Sequence, residues 1–391
     1  MKRILAVLLL AFLMLQTVSC IQIKSTSQSM TPPTPDTAER DTVSQAPIPE
    51  DMLQREIPDW SMVAHNARVF LKETRHAIVD TSDAAYSYAD MVEDLQILSK
   101  MYPQYFSHRS IGSSVAGRTV WLAVLGNPNA SRQILVSAGM HGREYMTPLL
   151  VMKQIEFTLA YLSDGSIGTT SYASILEKYC FYIVPMTNPD GIMLSQEGMS
   201  SLSDPALYQE IYSIYSADFA AGLTKSTTVN EYLKYWKANA AGVDLNRNYD
   251  ARWREYDRIL RPSSQNYKGP AAASEPETRA LAALTESLDN VLAVLCIHSQ
   301  GEVIYWNCGQ DEALSADTRA FASAISKHNG YYVVDQQNND ASYSDWCALK
   351  KGLIAVTVET GMGTCPLPIE QFETVWQDNY DLLIRSAMYF E

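Results

Sequence analysis

Four short apolar runs constrain this chain more than any other feature. They cover residues 133–138, 179–185, 291–297 and 353–358, and each ends in a break containing Gly, Asn, Ser or Glu. The run at 291–297 is too apolar to face water, and short unbroken runs of this kind are strands buried on both faces. Between them lie stretches with apolar residues at helical spacing. Met91, Leu95 and Leu98 make one, and Leu149, Met152, Ile155 and Leu159 a second. Leu281, Leu284 and Leu288 make a third, behind a Ser274-Glu275-Pro276-Glu277 capping-box pattern, and Phe372, Val375, Trp376, Leu382 and Leu383 close the chain. Further strands are expected at 118–125, 303–306 and 331–334. The predicted class is α/β: a mixed, mostly buried, twisted sheet flanked by helices. Residues 200–235 are polar with helical patches and read as an insertion over one face.

With 391 residues, 47% of them hydrophobic and 19% charged, the chain can bury a large core. Its net charge of −14 excludes a nucleic-acid backbone as partner, which needs a basic stripe. An anionic small substrate stays open, because a local Arg can oppose the global field.

The N-terminus is of another kind. Lys2-Arg3, an apolar run over 4–15 and Thr17-Val18-Ser19-Cys20 make residues 1–20 a secretory signal, too short to span a membrane comfortably. Cys20 is a candidate lipid-anchor site of a periplasmic, envelope-attached lipoprotein, with simple secretion as the alternative. Residues 21–50 are rich in Ser, Thr, Pro and Gln and read as a disordered linker. Residues 51–82 read as a short helical or pro-like segment of unknown role, leaving 83–391 for a catalytic domain.

Chemistry is concentrated where buried runs end. After 133–138 comes His141-Gly142-Arg143-Glu144, an imidazole and a carboxylate three residues apart at a strand–helix junction. Alone, this spacing occurs by chance. His298 ends the run at 291–297, the place where α/β folds put functional groups. Two imidazoles and a carboxylate form a three-ligand set of the catalytic zinc type, with the fourth position left for water. Glu359 ends the run at 353–358 and is a candidate general base. Asn188-Pro189-Asp190-Gly191 reads as a tight turn. In Asp244-Leu245-Asn246-Arg247-Asn248, Arg247 can fork onto a carboxylate with Asn246 beside it.

Taken together and in order, these motifs resemble the zinc carboxypeptidase family of the carboxypeptidase A type, over about three quarters of the chain. Finer features are similar to the bacterial γ-D-glutamyl-meso-diaminopimelate peptidases of cell-wall muropeptides: Trp236-Lys237-Ala238-Asn239, Tyr267-Lys268-Gly269-Pro270 and the run from His298 to Trp306. The resemblance implies a three-layer sandwich holding one Zn2+ on His141, Glu144 and His298. It makes Glu359 the base and acid, and Asn246 and Arg247 the clamp for a substrate carboxylate. Where the family has an Arg after a Trp to polarise the scissile carbonyl, this chain has Lys237. Ser344 falls where the family sets side-chain preference, and as a small neutral residue it supplies neither a countercharge nor a large apolar wall. The family's substrate-closing Tyr aligns near Gln337, with Tyr343 offset from it, and that role is left open. Cys180 and Cys296 are expected as buried thiols, while a disulfide among Cys308, Cys347 and Cys365 is open in an exported chain. The readings that compete with muropeptide hydrolysis are a general metallocarboxypeptidase and a catalytically inactive binding protein of the same fold.

Overall fold

The computed structural model describes residues 63–72, 78–167, 169–335 and 340–391. The expected signal, linker and Cys20 anchor lie outside the described residues, as does Gln337.

Eight strands form one mixed sheet. They are β1 (Phe106–Ser113), β2 (Thr119–Gly126), β3 (Arg132–Ser137), β4 (Tyr179–Val184), β5 (Val291–His298), β6 (Val303–Tyr305), β7 (Tyr332–Val334) and β8 (Ala355–Glu359). Their order is β1-β2-β4-β3-β5-β8-β6-β7. The central four, β4, β3, β5 and β8, run parallel, and these are the four apolar runs. Alternation along them supplies two cores. Ile134, Val136, Phe181, Ile183, Leu295, Ile297, Val356 and Val358 face one side. Leu135, Cys180, Tyr182, Val294, Cys296 and Ala355 face the other. A sheet buried on both faces follows from strands with no polar side to expose.

The helices needed below are α1 (Val63–Lys72), α2 (Tyr88–Met101), α3 (Met146–Ala160), α4 (Pro189–Glu197), α5 (Pro205–Ala220), α6 (Pro276–Glu286), α7 (Glu312–Asn329), α8 (Tyr343–Lys351), α9 (Phe372–Asn379) and α10 (Leu382–Met388). Helix α3 is buried on every side rather than along the one stripe its leucines suggest. It holds a buried ion pair, Lys153 Nζ to Glu156 Oε2 at 2.7 Å. Glu156 accepts from Ile78 N (2.8 Å) and Val79 N (3.2 Å), and Lys153 donates to Val79 O (3.2 Å). Helix α1 lies in the stretch that the sequence sets apart from the catalytic body. Its Ala67 and Phe70 join the main core, and Ala67 O accepts from Trp376 Nε1 at 2.8 Å.

Several local expectations give way to tertiary partners. The Ser274–Glu277 pattern does not close a capping box. Glu275 is the N-cap without a side-chain cap, and Glu277 instead accepts from Val115 N at 3.1 Å and Asn239 Nδ2 at 3.3 Å. Asn188-Pro189-Asp190-Gly191 is the capped start of α4, with Asn188 Oδ1 accepting from Gly191 N at 2.8 Å. Strand β1 has no apolar run because it is a largely exposed edge strand. Insertion helix α5 packs Ile211 and Ile214 into a third cluster around Trp236 and Leu194.

Candidate active site

Parallel strands β3, β5 and β8 end at one edge of the sheet, and the candidate residues converge there. Beyond β3 the chain turns at Gly139, where φ is +60° and a Cβ would lie 2.8 Å from Pro148 Cγ. Thr147 Oγ1 fixes the turn, accepting from Gly139 N (3.0 Å) and donating to Glu144 O (2.9 Å). Asn188 Nδ2 ties it to the neighbouring loop through Met140 O (3.1 Å) and Ala238 O (3.0 Å). Gly142 touches backbone: an added Cβ would sit 2.3 Å from Gly191 O. The result aims His141 and Glu144 at the end of β5.

His141 Nδ1 is 2.8 Å from Glu144 Oε1. His298 Nδ1 is 3.0 Å from Glu144 Oε2 and 3.1 Å from His141 Nδ1. All three side chains are buried. Two imidazole nitrogens facing each other at that distance repel unless a proton or a cation lies between them. A tetrahedral ion with bonds of about 2.0–2.2 Å has ligand–ligand edges of roughly 3.3 Å, so the donor set and its spacing fit zinc. Among the described residues no other three His, Cys, Asp or Glu side chains converge in this way. Burial alone would raise the Glu144 carboxyl, but the His141 charge and hydrogen bonds from both imidazoles hold it well below the usual range.

The sequence named Asp244 only as part of a motif. It is fully buried, with Oδ1 3.3 Å from His141 Nε2 and Oδ2 3.5 Å from Lys237 Nζ. Burial opposes its charge, yet Lys237 and His141 hold its carboxyl well below the ordinary range. A carboxylate behind a ligand imidazole fixes the ring's tautomer and orientation. The only sequence signal for this role is its place in the Asp-Leu-Asn-Arg motif.

Glu359 sits directly opposite His298 in the parallel β5–β8 register, so both side chains face the same way. Burial pushes its carboxyl up to about 7; His298 draws it down and the like charge of Glu144 raises it. A carboxylate with that affinity for a proton suits general base work near neutral pH. Lys237 and Arg247 both act on Glu359 electrostatically, drawing its carboxyl down. Arg247 lies 5.1 Å over the Tyr256 ring and donates to Asn246 O at 2.6 Å, while its Nε has no partner. Asn246 Oδ1 accepts from Tyr343 N at 3.0 Å, which leaves the Nδ2 donor end for a ligand. Ser344 Oγ accepts from Thr357 Oγ1 at 3.1 Å. Tyr343 is fully buried with its hydroxyl 2.7 Å from Thr285 Oγ1, so it cannot close over a substrate. Cys180, Cys296, Cys308, Cys347 and Cys365 are all buried free thiols, so the disulfide left open among the last three is not formed.

Two imidazoles and a carboxylate beside a proton-accepting Glu and a cluster of cations define a hydrolytic metal centre. The match to the zinc carboxypeptidase model, peptidase family M14, spans residues 91–382, and the chain belongs to that family. It is a zinc metallopeptidase acting on peptide substrates. A γ-D-glutamyl-L-diamino acid endopeptidase of Lysinibacillus sphaericus is 31% identical over 307 residues, covering 77% of this chain and 72% of that protein. Carboxypeptidase B of Canis lupus familiaris is 26% identical over 287 residues, covering 71% and 62% respectively. The crystal structure of thrombin-activatable fibrinolysis inhibitor shares the fold, with a TM-score of 0.63 at 16% identity, over 83% of this chain and 80% of that one. The predicted mixed sheet flanked by helices is therefore the carboxypeptidase fold.

Proposed function

We propose that this chain is an exported zinc metallopeptidase that hydrolyses the γ-D-Glu–meso-diaminopimelate bond of cell-wall muropeptides. The convergence of His141, Glu144 and His298 beside Glu359 carries the chemistry. The substrate reading is supported by similarity to an enzyme named for γ-D-glutamyl-L-diamino acid bonds. His141, Glu144 and His298 would hold one zinc ion. When bound, that ion polarises the scissile carbonyl and acidifies a water. Glu359 takes up the proton on its carboxylate and delivers it to the leaving nitrogen. The ammonium of Lys237 opposes the negative charge that develops on the carbonyl oxygen. Arg247 and the Nδ2 of Asn246 hold the free carboxylate on the leaving side, and Asp244 keeps His141 oriented. Residues 1–20 would direct export, with 21–50 as a tether and Cys20 as a lipid-anchor site.

The second reading, a general carboxypeptidase on protein C-termini, is favoured by the similarity to carboxypeptidase B. Mass-spectrometric product analysis separates the two. The expected result is higher kcat/KM on an L-Ala-γ-D-Glu-diaminopimelate tripeptide than on peptides ending in Phe, Leu or Arg. Preference for an ordinary C-terminus defeats the muropeptide reading and leaves the zinc peptidase standing.

A further inference from the structure

Insertion helix α5 turns Ile211, Ile214 and Asp218 onto its packed face, so one carboxylate is buried beside apolar side chains. Asp218 is 1% exposed. A buried carboxylate is costly unless its oxygens are supplied with donors. Here Oδ2 accepts from Tyr232 Oη at 2.5 Å, Ser263 Oγ at 2.7 Å and Ser264 N at 3.3 Å. Oδ1 accepts from Arg261 Nη1 at 2.6 Å, and Arg261 Nη2 donates to Ala217 O at 3.0 Å. These bonds fasten residues 261–264 to the helix.

The fastened segment reaches the reacting centre. Ser264 O accepts from Lys237 N and Ala238 N, both at 2.9 Å. Lys237 O accepts from Gly142 N at 3.1 Å, so the backbone of Lys237 is gripped between 261–264 and the loop that carries His141 and Glu144. Tyr232 joins the same grip: its ring centroid is 5.7 Å from that of Trp236, and its hydroxyl accepts from Ser264 N at 3.1 Å. Lys237 Nζ lies 3.5 Å from Asp244 Oδ2. A Lys carries a point charge on a flexible stem where an Arg carries a rigid fork. Its ammonium is therefore aimed only as well as its backbone and its countercharge are fixed.

We propose that Asp218 is a positioning residue for the hydrolysis: through Ser263 and Ser264 it fixes the backbone of Lys237, and so the ammonium that faces the carbonyl oxygen. This deepens the reading of Lys237 given above and rests on it. The insertion then serves the reacting centre as well as the face it covers. Charge on the carbonyl oxygen grows in the transition state, so a displaced ammonium lowers kcat more than it raises KM. A misplacement of about 1 Å costs on the order of a hundredfold in rate.

The test is a double-mutant cycle on the zinc-loaded enzyme. It is run on whichever of an L-Ala-γ-D-Glu-diaminopimelate tripeptide and benzoyl-glycyl-Phe the wild type cleaves faster, because the proposal concerns the carbonyl and not the leaving residue. Asp218→Asn keeps the shape, removes the charge and turns one acceptor into a donor facing other donors. It should lower kcat about tenfold to a hundredfold, with KM within about threefold and zinc content unchanged by elemental analysis. Lys237→Met should lower kcat by at least as much. In the Lys237→Met background, Asp218→Asn should change kcat by less than about threefold, because the group it positions is gone. Losses that multiply would mark Asp218 as purely structural and overturn the proposal while leaving Lys237 in its role. A kcat within about threefold of wild type in Asp218→Asn also overturns it. If Lys237→Met itself keeps kcat within that range, the role of Lys237 fails and the proposal fails with it. If Asp218→Asn does not fold, Ser263→Ala, which removes one donor to the carboxylate, takes its place in the cycle under the same criteria.

Discussion

Glu359 and Arg247 show how differently two charged residues in one site can act. Glu359 is half-buried beside His298, and its proposed work is to move a proton. Glu359→Gln keeps the shape and cannot accept that proton. It should lose about 10²- to 10⁴-fold in kcat while the purified protein retains its zinc by elemental analysis. A variant with more than about a tenth of wild-type kcat would remove Glu359 from that role. Arg247 is proposed to contact a substrate carboxylate, a group on which no charge develops. Arg247→Ala should therefore raise KM more than it lowers kcat, on every substrate with a free leaving-side carboxylate. Steady-state kinetics read the split, and a fall in kcat with KM unchanged would assign Arg247 to the reacting centre instead.

Among the elements, helix α3 does the most to hold the site in place. It starts two residues after Glu144 and is buried throughout, so motion of the helix is motion of two proposed ligands. Its Lys153–Glu156 pair clips Ile78 and Val79 onto it, and Lys153 Nζ also lies 4.7 Å over the Phe70 ring of α1. Removing one partner strands the other charge in an apolar layer. Glu156→Ala should cost about 3–5 kcal/mol in urea denaturation. Replacing Lys153 by Met and Glu156 by Leu together should recover most of that loss, since well-packed apolar residues commonly replace a buried pair without penalty. Additive losses in the double variant would show that the clip matters through its backbone bonds alone.

For the molecule as a whole, buried carboxyls set the response of stability to pH. Burial raises Glu277 to about 7, with Asp190 nearby adding to the shift and the hydrogen bonds from Val115 and Asn239 opposing it. The folded state then holds a proton that the unfolded chain has released. The contribution of Glu277 is complete below its ordinary pKa near 4.5 and is lost as pH rises through about 7. The loss is of order 1–3 kcal/mol. Urea titrations of wild type and Glu277→Gln between pH 4.5 and 8 should differ in slope, the wild type falling more steeply. Parallel curves would show that Glu277 does not titrate in this range.

The sequence alone determined the parts whose signals are local. The four buried runs gave the central parallel strands, because a strand without a polar face has only one kind of place in a fold. The ends of those runs gave His141, His298 and Glu359, because parallel strands bring their C-terminal ends to one edge. Asn246 and Arg247 came with their motif. What the tertiary structure decided depends on distances between residues far apart in the chain. Asp244 stands behind His141 across 103 positions, as the separation of the two numbers gives. Glu277 looked like half of a capping box and is held by Val115 and Asn239 instead. Tyr343 lay near enough in sequence to cover a substrate and is turned into the core against Thr285. Burial and pairing of polar groups are properties of the packed chain, and no spacing in the sequence fixes them.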